Sequence, residues 1–530
     1  MLFETCIICG IVFALWSIGK LLMLFDIVHV PKKRVHIWRH VKHLNRACYC
    51  SICEIMLTSS GFYCEACGVC SDTLCITMAE KVLKCKVTST DLVVKPSDGL
   101  EPVVSEQQHL WVKGNLTQCY TCYICDRVVD YHGRPGLYGY RCCWCQRSTH
   151  VNCFVKTADD KVCDFGTFKD MIIPPNHVFV KHRRLHHQVT HFLQPDWPDW
   201  KPLIVVANNK SGDNTAENVI AVFRSVLNPI QIFELSSSGP NTALNLISKI
   251  RSTPCRILVA GGDGTIGWIL NEISRKNIQP IPEVCILPIG TGNDLSRVLG
   301  WGGVPPAVLN PAELCEKIRS AETVQLDRWL VEIEGHSTRR LHMSWLPHRK
   351  LHTYNYFSVG VDAQVTFNFH KARESPFYMI SSRIFNKILY LCFGTHQVVL
   401  PDCVGLEKKI DVYLDGEKID LPELQAVVCI NIDSWAAGVN LWVMSADEDD
   451  PVKSSISDGV IEVMGIVSSF HMAQLQVGLN KPIRLGQARS VRIRMRESFP
   501  VQADGEPWIQ APSEVNISCD GQAKMLQYSS

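Results

Sequence analysis

Sixteen of the 25 cysteines in this 530-residue chain lie between Cys48 and Cys163, about a fifth of its length. Within that stretch C-x-x-C pairs recur at Cys50/Cys53, Cys64/Cys67, Cys122/Cys125 and Cys142/Cys145. Two thiolates on a tight turn supply half of a tetrahedral zinc site. The spacing also repeats. His36, Cys50, Cys53, Cys64, Cys67, Asp72, Cys75 and Cys85 are followed by His109, Cys122, Cys125, Cys142, Cys145, His150, Cys153 and Cys163. From the fourth cysteine onward both series share the same offsets, an internal repeat that predicts two small zinc-stapled domains. Disulfides of a secreted chain are the competing reading, and the amino terminus argues against them. Hydrophobic residues make up 46% and charged residues 20%, so the chain is globular and long enough for several domains. A net charge of +1 excludes bulk electrostatic affinity for nucleic acid.

The spacing resembles the protein-kinase-C-type cysteine-rich zinc domain. That resemblance implies two sites in the first repeat: His36, Cys64, Cys67 and Cys85, and Cys50, Cys53, Asp72 and Cys75. In the second they are His109, Cys142, Cys145 and Cys163, and Cys122, Cys125, His150 and Cys153. Asp72 stands where the pattern has histidine, so that site uses the carboxylate, uses Cys70 or lacks a fourth ligand. The proline and glutamine of lipid-binding members are missing from both repeats, which predicts scaffold or protein-contact modules instead of diacylglycerol sensors.

Ile7 to Phe25 is apolar apart from Lys20; as a helix it spans roughly 28 Å, close to a hydrocarbon core. Lys32, Lys33, Arg34, Arg39, Lys42 and Arg46 follow with no acidic residue from 31 to 46. A membrane helix or re-entrant segment is expected over residues 1–30. Its basic flank would face the cytosol and anionic lipid. A cleaved signal peptide fits poorly, because Glu4 occupies the n-region and no small-residue cleavage site precedes the basic run.

Residues 164–202 are basic, histidine-rich and proline-bearing and read as an extension and linker. Short apolar runs then begin at Leu203, Arg256 and Val284, each ending in a polar, glycine-bearing turn. Buried strands that open into glycine turns are where α/β sheets hold ligands. The sharpest turn is Gly261-Gly262-Asp263-Gly264-Thr265, ahead of a helical run. Glycines let backbone approach phosphate oxygens, and a helix N-terminus offers unpaired N–H groups. Gly290-Thr291-Gly292-Asn293-Asp294 repeats the logic, and Asn208-Asn209-Lys210-Ser211-Gly212 ends the first run. Gly302-Gly303 lacks a preceding strand and reads as a plain turn.

GGDGT, LPIGTGNDLSR, the LDRW at Leu326–Trp329, YFSVGVDA at Tyr356–Ala363 and QADGEPW at Gln502–Trp508 resemble the diacylglycerol kinases, within a superfamily that includes sphingosine and NAD kinases. The resemblance runs from about residue 36 to 515, and the layout is similar to the family's epsilon isotype. It implies an α/β doubly wound nucleotide-binding domain over 203–335 and a β-sandwich-like accessory domain over 350–515. The zinc domains, at 31–86 with its basic segment and at 109–163, and the membrane segment would precede them.

The activity implied is transfer of the ATP γ-phosphate to diacylglycerol, giving phosphatidic acid, with Mg²⁺ and Zn²⁺ as further cofactors. The expected location is the endoplasmic reticulum or plasma membrane. ATP would be held by Asn208, Ser211, Gly261, Gly262, Gly264, Thr265, Gly290, Thr291, Gly292 and Asn293. Asp263, Asp504 and Glu506 are the candidate bases, and Asp294 and Asp327 resemble a magnesium network. The first loop departs from the family's N-P-x-S-G-G at Asn209 and Asp213. A second DGE, Asp415 to Glu417, follows a strand without Pro-Trp and reads as a hairpin turn. Arg492, Arg494 and Arg496 alternate on what reads as a solvated sheet face, and Ser381–Gly394 reads as an amphipathic helix tied by the same resemblance to acyl-chain choice.

Overall fold

Runs as short and apolar as those at Leu203, Arg256 and Val284 are stable only where both faces of a sheet are covered. In this computed structural model they are β1 (Leu203–Ala207), β3 (Arg256–Gly261) and β4 (Glu283–Pro288), buried at every residue. The three-residue β2 (Ile232–Glu234) completes a parallel sheet of order β2-β1-β3-β4. The residues described are 36–41, 48–57, 60–87, 106–116, 120–129, 137–155, 162–183, 186–209, 215–335, 348–374, 403–446 and 454–529. The apolar segment 7–25, most of the basic run after it, Ser211 and the run 381–394 lie outside them. No helix among the described residues is long and apolar enough to cross a membrane.

Helix α1 (Asp263–Arg275) buries Ile266, Ile269, Leu270 and Ile273 against the sheet, the i, i+3, i+4, i+7 spacing of one helix face. Each such side chain contributes about 2 kcal/mol by leaving water. The helix therefore sits firmly enough to fix its own first turn, which holds GGDGT. A five-residue helix, α2 (Asp294–Val298), follows β4.

The chain divides into two units, residues 1–89 with 108–162 and residues 90–107 with 163–530. In the second, β5 (Glu322–Gly335) lies antiparallel to the fifteen-residue β9 (Ser513–Gln527), with a register shift between Asp327 and Trp329. The end of β9 pairs with β4 at Met525, and its beginning pairs with the strand Ser490–Met495. One ten-stranded sheet thus joins the α/β half to the β-rich half, and β9 runs past residue 515.

A six-stranded sheet containing β6 (Tyr356–Gly360), β7 (Phe499–Ala503) and β8 (Glu506–Gln510) packs on it. Trp329, Val331, Phe357, Val427, Ile493 and Val515 fill the space between, which makes the β-rich half a sandwich. The outer face of the six-stranded sheet is covered by Val361 and Val365 of α3 (Val361–Glu374) and by Met472 and Leu475 of α4 (Ser469–Gln476). Asp415 and Gly416 have positive φ in the hairpin between Ile410–Leu414 and Glu417–Lys418. Arg492 lies over the Tyr413 ring and Arg496 pairs with Asp411, as expected of a solvated face. Residues 164–202 are less of a linker than their composition suggests. Met171, Ile172 and Ile173 are fully buried, and Gln231 Nε2 donates to the carbonyls of Met171 and Leu203.

The first unit holds the two cysteine-rich repeats. Trp38–Val41 pairs with Gly61–Cys64 so that Trp38 faces Cys64, and Trp111–Lys113 pairs with Tyr140–Cys142 so that Trp111 faces Cys142. The repeats touch: the Cys143 thiol donates to the Cys67 carbonyl, and the Asn115 side chain bonds both the N–H and C=O of Tyr49.

Candidate active site and metal centres

Four clusters in the cysteine-rich region each bring four ligand atoms within 4.8 Å of one another. They are His36/Cys64/Cys67/Cys85, Cys50/Cys53/Asp72/Cys75, His109/Cys142/Cys145/Cys163 and Cys122/Cys125/His150/Cys153, the four sets that the resemblance implied. Thiolates and imidazole in groups of four are a donor set that could hold zinc. His36 Nε2 is bonded to the Leu83 carbonyl and His150 Nε2 to that of Val128, which turns each Nδ1 toward the thiols. Asp72 takes the histidine's place: Oδ2 lies 3.2 Å from the Cys53 sulfur, and Oδ1 accepts from Cys75 N–H. The Cys70 thiol points instead to the Gly68 carbonyl.

The glycine loops meet at the carboxyl ends of β1, β3 and β4, where they wall a cleft of about 650 Å³. Asn208, Gly262, Asp263, Gly264, Thr265, Gly290, Thr291, Gly292, Asp294, Asp504 and Glu506 all line it. Glycine is required here partly by the loops themselves. A Cβ on Gly290 would lie 2.5 Å from Gly262 Cα, and one on Gly262 would lie 3.1 Å from Gly290 Cα. The loops therefore touch backbone to backbone. Asn208 Nδ2 donates to Thr265 Oγ1, tying the end of β1 to α1.

Gly261 and Asn293 do not line the cleft. Gly261 ends β3, with Thr265 where its Cβ would be. Asn293, in the left-handed region at φ 55°, donates through Nδ2 to the carbonyls of Gly290 and Gly303. It shapes the loop from behind.

Asp263 is half-buried at the cleft wall. Its Oδ2 accepts from Asp294 N–H and its Oδ1 from Leu295 N–H, so the first loop caps the helix that follows the second. Burial raises its carboxyl above the usual range, and those backbone donors temper the rise. Asp294 is pushed up to about 6, first by burial and then by the negative charge of Asp263. Its Oδ1 accepts from Ser434 Oγ and from the N–H groups of Ala437 and Gly438. Ala436, Ala437 and Gly438 all have positive φ. Asp294 thus holds a strained turn that forms part of the cleft wall. Asp327 is elsewhere, accepting from Gly459 N–H and Gln522 Nε2.

The late DGE separates into two roles. Asp504 Oδ1 accepts from the Thr353 hydroxyl and the N–H groups of Asn355 and Tyr356, and Oδ2 accepts from Tyr354 N–H. Burial raises its carboxyl while these donors oppose the rise. Four bonds to one turn make it the clasp between residues 353–356 and the β7–β8 turn. Glu506 is exposed at the cleft, and its Oε1 lies 3.3 Å from where a Cβ on Gly264 would stand. The carboxylate therefore faces the GGDGT turn directly.

Trp268, Thr366, Phe369, His370, Ala436 to Val439, Gln476 and Val477 also line the cleft. The sequence reading missed all of them. Trp268, one turn beyond GGDGT on the same helix, carried a readable signal; the others are brought in by long-range packing.

The description "Diacylglycerol kinase catalytic domain" matches residues 202–329, and "Diacylglycerol kinase accessory domain" matches residues 352–507. Probable diacylglycerol kinase 3 of Caenorhabditis elegans is 32% identical over 93% of this chain and 64% of its own length. Diacylglycerol kinase theta of Rattus norvegicus is 38% identical over 61% of this chain. The chain spans about two thirds of the length of the nematode relative and 34% of the rat one. A solved diacylglycerol kinase structure from Bacillus anthracis aligns at 19% identity and a TM-score of 0.39, over 61% of this chain and 96% of that one. With catalytic and accessory domains matched in order over more than half of its residues, and with the glycine loops and the late DGE of those domains meeting in one cleft, the chain belongs to the diacylglycerol kinase family.

Proposed function

We propose that this protein transfers the γ-phosphate of ATP to the free hydroxyl of 1,2-diacylglycerol, giving phosphatidic acid. The observation that carries the reading is Glu506 facing the GGDGT turn across one cleft, in a member of this family. The close-packed glycine loops and the first turn of α1 offer backbone N–H groups to phosphate oxygens. Glu506 accepts the proton of the lipid hydroxyl as that oxygen bonds to the γ-phosphorus and the bond to the β–γ bridging oxygen breaks. Asp504 fixes the turn from which Glu506 projects.

The half-buried Asp263 and the buried Asp294 both place a carboxylate beside Gly292 in the cleft, and their hard oxygens suit a divalent cation. Magnesium bound there would neutralise phosphate charge. The epsilon-like layout, the apolar segment 7–25 and the basic run after it support a permanently membrane-held enzyme of the endoplasmic reticulum or plasma membrane that draws down diacylglycerol and feeds phosphoinositide turnover. Transfer of labelled γ-phosphate to a mixed-micelle panel of diacylglycerol, ceramide and sphingosine tests the activity. Label on diacylglycerol alone is expected. Label on a sphingoid lipid would overturn the substrate, and none on any lipid would overturn the kinase.

A further inference from the structure

Helix α4 presents an apolar face to solvent beside the cleft. Phe470 in its first turn and Val477 at its C-cap are 57% and 61% exposed, and Leu479 just beyond is 77% exposed. This is not a frayed end. Ser468 caps the helix by accepting from His471 N–H. The buried His471 ring accepts from Val467 N–H at Nδ1 and bonds the Lys481 carbonyl through Nε2, clamping both ends of the segment.

At the carboxyl end Gly478 N–H donates to Leu475 and Leu479 N–H to Gln474, with Gly478 at φ 73°. In this motif the residue after the glycine usually packs on the one five positions back. Here that partner is Gln474, and Leu479 stands outward. From Val467 to Pro482 there is no acidic residue. Gln476 and Val477, on the same segment, line the cleft.

We propose that the Phe470–Val477–Leu479 stripe is the surface that docks on the bilayer, letting diacylglycerol pass from the membrane into the cleft at Val477. The occupant is a lipid surface because the stripe is continuous with the cleft and carries no negative charge to repel anionic headgroups. Rigid apolar side chains beside such an opening insert at the headgroup–acyl boundary. The proposal rests on the lipid-kinase reading of that cleft.

The test uses the full chain and the double variant Phe470→Ser/Leu479→Ser, neither residue lining the cleft. Each is assayed on long-chain diacylglycerol in phosphatidylcholine–phosphatidylserine vesicles and on a short-chain diacylglycerol in free solution. The expected result is a loss of kcat/KM of about tenfold or more on vesicles and less than about twofold in solution. Separately, Leu479→Trp should gain fluorescence quenched by brominated phosphatidylcholine, read as the difference from the wild type. An unchanged vesicle rate, or an equal loss on both substrates, would overturn the proposal. Absence of quenching would also overturn it and would assign the stripe to a protein partner. If the wild type phosphorylates neither substrate, the lipid-kinase reading fails, and the quenching still decides whether the stripe meets lipid.

Discussion

The four carboxylates that line the cleft differ in what surrounds them, and that difference divides their roles. Asp504 is consumed by four donors of one turn. Asp504→Ala would leave those buried donors without an acceptor and is expected to cost about 3 kcal/mol or more of stability, seen as a lower melting temperature. Asp294 makes a pH prediction. Its carboxyl titrates near 6 in the folded chain and near the ordinary carboxylate range when unfolded. The folded state then binds more protons between those values, so this group's contribution to stability falls as pH rises through the window. Asp294→Asn keeps an acceptor but no charge. Measured by denaturation, its stability relative to the wild type should increase by about 2 kcal/mol from pH 4 to pH 7; a difference that does not change with pH would contradict this assignment. Gly290→Ala should destabilise by about 1–3 kcal/mol, because its Cβ meets Gly262 Cα.

Elements explain what could be read in the sequence. β1, β3 and β4 were legible because buried parallel strands read as unbroken apolar runs, whereas β2, three residues long with a half-buried Glu234, left no such trace. The four candidate metal clusters were legible because C-x-x-C spacing is local to tight turns, and the resemblance supplied how they interleave. The Ala436–Gly438 turn was not legible. Its positive φ values are held by Asp294, some 140 residues away, and nothing local at two alanines announces them. Long separation in sequence likewise hid Phe369 and Gln476. For the zinc region, metal analysis should give a ratio near four per chain. Asp72→His should keep that ratio and Asp72→Ala should lower it to near three; a wild-type ratio near three would show that the carboxylate holds no metal.

At the scale of the whole molecule, β5 and β9 make the catalytic and sandwich halves one body, because each runs through both parts of the ten-stranded sheet. The Asp504 clasp and Glu506 come from the second half, and the glycine loops from the first. The cleft therefore exists only when the long sheet is intact. The amino-terminal segment is a separate matter. If the proposed tether is right, deleting residues 1–46 should release the protein from membranes while sparing transfer to diacylglycerol in detergent micelles, checked by fractionation and assay. Loss of activity in micelles too would contradict the proposed tether.

The most direct measurement is the rate of γ-phosphate transfer to micellar diacylglycerol by Glu506→Gln. The account predicts a kcat lowered about a hundredfold or more, with the KM for ATP and the melting temperature near those of the wild type. Transfer by Glu506→Gln at close to the wild-type rate would show that the hydroxyl proton goes elsewhere and that the cleft does not work as described.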